Sequence, residues 1–366
     1  MGERFATRAL VVSRAFARSF SRNAKREAPR RILIAHNLLL GDTLMLAPLI
    51  AKLRANDSSA GITLLAHPAF VPLYASRPWG VRALPFKPAD SSTARALLEE
   101  PAFDLAFVIG DNRYSWLAAA MRARRIVAHS GDAPWTKDVF VDERHAYWDQ
   151  PAPWGEMVAA LAQGEDPPPY DPSQWPAPPA RPFDAPDRPY AVLHVGASTP
   201  LKLWKPERWR ALAAELEKRG LAVAWSAGAS EQATVSLCDP QERYRSYAGQ
   251  LDLAQMWHLL AKARVLVAPD TGIAHLGRVV GTPTVALFGP GSATLCANGR
   301  FWAAAPWRAV GEDPFPCRDQ RLLFRRRVEW VRRCSRTTAE CAEPRCMNAI
   351  GVESVVTAVD SIIRRE

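Results

Sequence analysis

Ten prolines fall within residues 163–190, a composition that holds neither a continuous helix nor a central strand. The stretch reads as a stiff extended connector, and it divides the 366-residue chain into two parts of similar size, each enough for one domain. The two parts open alike. Arg30-Arg31 leads into the apolar run Ile32-Leu33-Ile34-Ala35, then Gly41-Asp42 and an apolar-periodic segment over 43–53. Pro189-Tyr190 leads into Ala191-Val192-Leu193-His194-Val195-Gly196, a polar loop, and helical spacing over 207–219 at Trp209, Leu212 and Leu216. Buried strand, loop and helix in that order form the unit of a parallel α/β sheet. Further strands are expected at 61–66, 104–108, 221–226, 263–267 and 284–288, with helices over 115–123 and 253–262. Apolar residues at Val352, Val355, Val356, Val359, Ile362 and Ile363 predict an amphipathic helix that closes the fold. The expected class is α/β: two Rossmann-like, doubly wound domains facing a central cleft, with ligands at the carboxyl ends of the strands. Its divisions are a basic segment at 1–30, a first domain at 31–165, a linker at 166–189, a second domain at 190–350 and a closing helix at 351–366.

A formal charge of +10 and a pI of about 9.6 point to anionic partners: nucleic acid, acidic lipid or phosphorylated small molecules. Much of the excess lies in the first 31 residues, where Arg4, Arg8, Arg14, Arg18, Arg22, Lys25 and Arg26 alternate with Phe5, Leu10, Val11, Phe16 and Phe20. That segment reads either as a basic interfacial helix for an anionic membrane or as a solvated tail. It lacks the apolar core and cleavage site of an export signal, so a cytoplasmic protein, peripheral at the inner face of the inner membrane, is expected. No apolar run reaches the ~20 residues that cross a bilayer. Phe324-Arg325-Arg326-Arg327 with Trp330 resembles a nucleic-acid surface only faintly and reads as a solvated helix face, so no nucleic-acid partner is expected. Cys317, Cys334, Cys341 and Cys346 cluster late in the chain but lack a paired C-x-x-C unit, so no metal site is assigned to them.

Chemistry concentrates at four loops. In Ala268-Pro269-Asp270-Thr271-Gly272-Ile273-Ala274-His275 a buried strand gives way to a helix, whose free N–H groups suit a diphosphate; the plain alternative is that Asp270 or Thr271 caps the helix. The loop Gly196–Lys205 offers Ser198 and Thr199 as donors and Lys202 and Lys205 as cations, or merely solvated side chains. Glu231, in Gly228-x-x-Glu231, either accepts from a sugar hydroxyl or begins a helix. Gly41-Asp42 follows the first strand, where Asp42 is either a cap or a general base facing a bound substrate.

Taken in order, Gly41-Asp42, the Gly196–Lys202 loop with Trp204, Gly228-x-x-Glu231, Asp270-Thr271-Gly272-x-x-His275 and the block from Gly281 to Pro290 resemble glycosyltransferase family 9, the heptosyltransferases of lipopolysaccharide assembly. The resemblance implies the GT-B fold and an inverting, metal-independent transfer of heptose from ADP-heptose to an acidic, lipid A-linked core acceptor, with no cofactor. It implies that Asp42 is the catalytic base, that Lys202 steadies the diphosphate, and that Asp270, Thr271, Gly272 and His275 bind the donor. The chain departs from the pattern at Lys205, where proline is common, and at Ile273-Ala274. Two other readings stay open: the same fold with another nucleotide sugar or a protein acceptor, and a non-catalytic nucleotide-binding scaffold. Acceptor contacts are expected in the first domain, on the loops at 56–60 and 67–79, at Arg113 and at 122–125.

Overall fold

A computed structural model describes residues 2–17 and 29–363. The chain forms two compact units: Met1–Gln150, Trp154–Pro168 and Leu322–Trp330 make the first, and Pro151–Pro153, Pro169–Arg321 and Val331–Glu366 the second. Among the described residues no helix is long and apolar enough to cross a membrane.

The first unit runs α1 Gly2–Ala17, β1 Arg31–Ala35, α2 Leu40–Leu44, α3 Ala47–Asn56, β2 Gly61–Ala66, α4 Val71–Tyr74 and β3 Arg82–Pro85. It continues with α5 Ser91–Leu98, β4 Leu105–Val108, α6 Tyr114–Ala120, β5 Arg125–His129, β6 Glu143–His145 and α7 Trp154–Ala159. The six strands lie in the order β3-β2-β1-β4-β5-β6, all parallel. Ile32 in β1 pairs with Ile62 on one side and Leu105 on the other. Burial on both faces explains why β1 and β4 read as continuous apolar runs rather than alternating ones. The helix expected over 43–53 is broken between α2 and α3, because Pro48 at the start of α3 cannot donate into a preceding turn.

The basic amino-terminal segment is neither a solvated tail nor a free interfacial helix over its described part. Ala15 of α1 is fully buried, and the Phe16 ring meets Trp116 and Phe140 edge-on at 5.7 and 5.8 Å. Arg14 donates to the Leu98 carbonyl at 2.8 Å. The apolar stripe that suggested a lipid surface thus covers α6 and α5. Arg18, Arg22, Lys25 and Arg26 lie outside the described residues.

The second unit runs β7 Tyr190–His194, α8 Pro206–Lys218, β8 Ala222–Ser226, α9 Gln232–Cys238, β9 Arg245–Ser246, α10 Leu253–Ala261, β10 Val265–Pro269, α11 Gly272–Val280, β11 Thr284–Leu287 and β12 Trp307–Val310. Its strand order, β12-β11-β10-β7-β8-β9, repeats that of the first sheet when counted from β7. After β12 comes an antiparallel hairpin, β13 Leu322–Leu323 and β14 Arg326–Arg327, which belongs to the first unit. The chain ends with α12 Arg345–Asn348 and α13 Val352–Ile363, whose Val355, Val359 and Ile362 are buried against the second core. The proline-rich stretch is pinned rather than free: Tyr170 packs on Trp302 at 4.7 Å and donates to the Val279 carbonyl at 2.8 Å.

In each sheet the order reverses direction beside the first strand, between β1 and β4 and between β7 and β10. Chains leaving such neighbouring strands in opposite directions open a crevice at their carboxyl ends, where ligands bind. The loops after β1, β4, β7 and β10 carry nearly all the residues singled out from sequence.

Candidate functional sites at the two switch points

In the second unit, Thr199-Pro200 begins a short 3-10 turn over Pro200–Lys202 that carries Lys202 toward the end of β10. Its Nζ donates to Asp270 Oδ2 at 2.8 Å and to the Asp270 carbonyl at 2.7 Å. An ammonium has three donors, so this geometry holds the lysine in place and leaves one donor for a ligand. Burial opposes ionisation of Asp270, but the positive fields of Lys202 and Arg333 and the Lys202 hydrogen bond hold its carboxyl below the usual carboxylate range. Gly291 packs directly over this carboxylate; a Cβ there would stand 2.3 Å from Oδ2.

Neither Asp270 nor Thr271 caps α11. Thr271 occupies the N-cap position without a side-chain cap bond, and its Oγ1 is buried with no hydrogen-bond partner among the described residues. His275 Nδ1 is likewise buried without a partner, while Nε2 lies 4.0 Å from Asp270 Oδ1. Buried polar atoms are rarely left unsatisfied, and two beside one helix start suit a ligand that supplies the missing partners. Burial and the neighbouring Arg278 cation lower the His275 pKa to about 3, so the ring is neutral at working pH. The N–H groups of Gly272, Ile273 and Ala274 have no acceptor within the helix. Unpaired N–H groups, one hydroxyl and a fixed ammonium together favour a polyanion. Sequence reasoning missed Arg278, one turn beyond His275; buried, it lies 3.8 Å over the Trp307 ring on which His275 also stacks.

In the first unit, the loop after β1 and the loop after β4 line a cavity of about 380 Å³ that contains Asp42, Arg113, Tyr114, Phe324 and Arg325. Asp42 is not a cap, because Leu39 occupies the N-cap position of α2. It stands in the first turn, half-buried, with Gly41 buried behind it. His36 fixes the entry to this loop by accepting from the Leu38 N–H at 3.1 Å, and burial lowers its pKa to about 3.

The remaining residues divide. Thr199 caps the turn before Lys202, accepting from Leu201 N–H at 3.4 Å, and Ser198 is exposed on the same loop. Lys205 is exposed at the N-cap position of α8, so Lys202 rather than Lys205 meets Asp270. Glu231 is occupied by its own turn: it accepts from Gly228 N–H at 2.7 Å and packs over Gly196. Trp204 is a core anchor whose Nε1 donates to the Ile350 carbonyl at 2.9 Å. Cys317, Cys334, Cys341 and Cys346 are all free thiols. Among the described residues only Asp270, His275 and Cys296 bring potential metal-ligand atoms within 4.8 Å of one another.

The arginine run at 325–327 is not a helix face. Phe324 and Arg325 form the turn of the β13–β14 hairpin, and Arg326 is buried in the first unit. Its guanidinium donates to the carbonyls of Gly110 at 2.7 Å and Ser130 at 3.0 Å and to Asn112 Oδ1 at 2.7 Å. Nothing in the local sequence announces this, since Gly110, Asn112 and Ser130 lie about 200 residues away.

A family model for glycosyltransferase family 9 (heptosyltransferase) matches residues 138–305. Lipopolysaccharide heptosyltransferase 1 of Pseudomonas aeruginosa is 36% identical over 107 residues, which are 29% of this chain and 30% of that protein. The match thus spans about 30% of that curated relative's length. The structure of E. coli ADP-heptose lps heptosyltransferase II superposes with a TM-score of 0.67 at 18% identity, covering 92% of this chain and 99% of that one. E. coli heptosyltransferase WaaC with ADP gives 0.63 at 18% identity, covering 76% and 92%. These likenesses identify the fold as GT-B, two Rossmann-like domains in one chain.

Proposed function

We propose, from the match of residues 138–305 to the glycosyltransferase family 9 model, that the chain transfers heptose from ADP-heptose to an acidic, lipid A-linked core acceptor, with inversion and without a metal ion. The observation that carries this reading is the Lys202–Asp270 pair beside the buried, unpartnered Thr271 Oγ1 and His275 Nδ1 at the start of α11. A nucleoside diphosphate supplies what those groups lack. Lys202 and the helix N–H groups meet the charge that grows on the leaving diphosphate, which is the task a divalent cation performs elsewhere. Asp42 takes the proton from the acceptor hydroxyl as its oxygen attacks the anomeric carbon on the face opposite the diphosphate. The glycosidic bond forms as the sugar–phosphate bond breaks, ADP departs, and the proton passes from Asp42 to solvent. The charge of +10 suits a phosphorylated acceptor and a peripheral position on an anionic membrane.

Calorimetric titration with ADP, UDP and GDP in the presence of a chelator tests the donor half. Tight binding selective for ADP is expected. Preference for UDP or GDP moves the donor while keeping the fold, loss of binding on chelation removes metal independence, and no binding at all overturns the donor site and leaves a membrane-associated scaffold.

A further inference from the structure

We propose that Arg325, at the tip of the β13–β14 hairpin, is a specificity residue that binds an anionic group, phosphate or carboxylate, on the acceptor held beside Asp42. The inference rests on reading the Asp42 cavity as the acceptor site. It starts from an oddity of the hairpin. Leu323 and Arg326 are the last paired residues, so the turn is only Phe324 and Arg325, with φ of 46° and 66°. A two-residue turn with both φ positive is normally built from Asn and Gly, because larger side chains are strained there. Retaining Phe and Arg in that conformation places both side chains on the wall of the cavity that contains Asp42.

The surroundings hold the strained tip rigidly. Arg326 donates to the Phe324 carbonyl at 2.9 Å while its other contacts grip the loops after β4 and β5. The Phe324 ring lies 4.9 Å from that of Trp154, and it closes over Gly110, where a Cβ would stand 3.4 Å from Phe324 Cδ1 and 2.8 Å from Leu38 Cδ2. Two arginines line the cavity, and they differ. Arg113 is neutralised by Asp111 at 2.6 Å. Arg325 is exposed and makes no hydrogen bond or ion pair with any described residue. A guanidinium with its donors uncommitted, carried on an anchored turn beside a carboxylate, fits a ligand that offers a hydroxyl to Asp42 and a planar or tetrahedral anion to Arg325.

The test is steady-state heptose transfer from ADP-heptose to a deacylated lipid A–core fragment by the wild type, R325A, R325K and R325G. R325A raises the acceptor KM by about tenfold, the worth of one charge-assisted contact, with kcat and the donor KM within about twofold. R325K recovers part of the loss, since it restores charge without the fork. R325G, which relieves the positive φ, shows the same rise as R325A and so separates loss of the side chain from any distortion of the turn. An unchanged acceptor KM in R325A or R325G overturns the proposal. Repeating the assay with phosphatase-treated and with carboxyl-reduced fragments identifies the anion, because the R325A penalty vanishes with whichever group is removed. A penalty that persists when both are removed also overturns it. Should the wild type bind the fragment in calorimetry yet transfer nothing, the transferase reading fails while the Arg325 contact is read from the ratio of dissociation constants; no binding by the wild type overturns both.

Discussion

Lys202 shows how much one contact decides. The residues alone leave Lys202 and Lys205, three apart, both open as cations for a diphosphate, and the family resemblance favours Lys202. The 3-10 turn begun by Thr199-Pro200 directs Lys202 onto Asp270, whereas Lys205 starts a helix and faces solvent. Replacing Lys202 with Met removes the fixed cation beside Asp270 that is proposed to meet the diphosphate. Turnover is expected to fall by on the order of 100-fold, with a smaller loss of ADP affinity, because the charge matters most as the leaving group departs. Lys205→Ala leaves both within about twofold. Steady-state kinetics with calorimetry on the two variants checks the pair, and a larger effect at Lys205 would transfer the role to it.

Among the elements, the strand–loop–helix units were legible because each is local: an apolar run, a small residue, then helical spacing. Gly41-Asp42 and Asp270-Thr271-Gly272 could be placed at strand ends for that reason. The β13–β14 hairpin was not legible, because Arg326 is buried only by virtue of Gly110, Asn112 and Ser130, and a run of arginines in isolation looks like a solvated face. The same holds for α1, whose apolar stripe is used by α6. Arg326→Ala takes a donor from the Gly110 and Ser130 carbonyls and from Asn112 Oδ1, and a cation from beside Asp132 at 3.4 Å. It is expected to lower stability by about 3 kcal/mol in urea denaturation, the scale of losing one member of a buried charged network. A change below about 0.5 kcal/mol would show the hairpin to be loosely attached.

Across the molecule, the two units share a strand order and also a liability. His36 and His129 in the first, and His194 and His275 in the second, are buried, and burial lowers their pKa values to about 3, 3, 4 and 3. Unfolded histidines titrate near 6.5, so below that pH the unfolded chain takes up protons that the folded chain refuses. Stability is therefore intact above about pH 6.5 and falls as pH drops toward 3, by up to about 1.4 kcal/mol per pH unit for each histidine. Urea midpoints measured at pH 7.5, 6 and 5 should decline steadily; a constant midpoint would mean that these rings charge within the fold.

In the proposed transfer Asp42 acts as the base and the second unit holds the donor. The most direct measurement is heptose transfer from ADP-heptose by Asp42→Asn, with ADP affinity measured on the same preparation. Transfer is expected to fall at least 1000-fold, roughly the upper part of the range for loss of a general base, while ADP binds as to the wild type. Retained transfer, or ADP binding lost in parallel with it, would contradict the assignment.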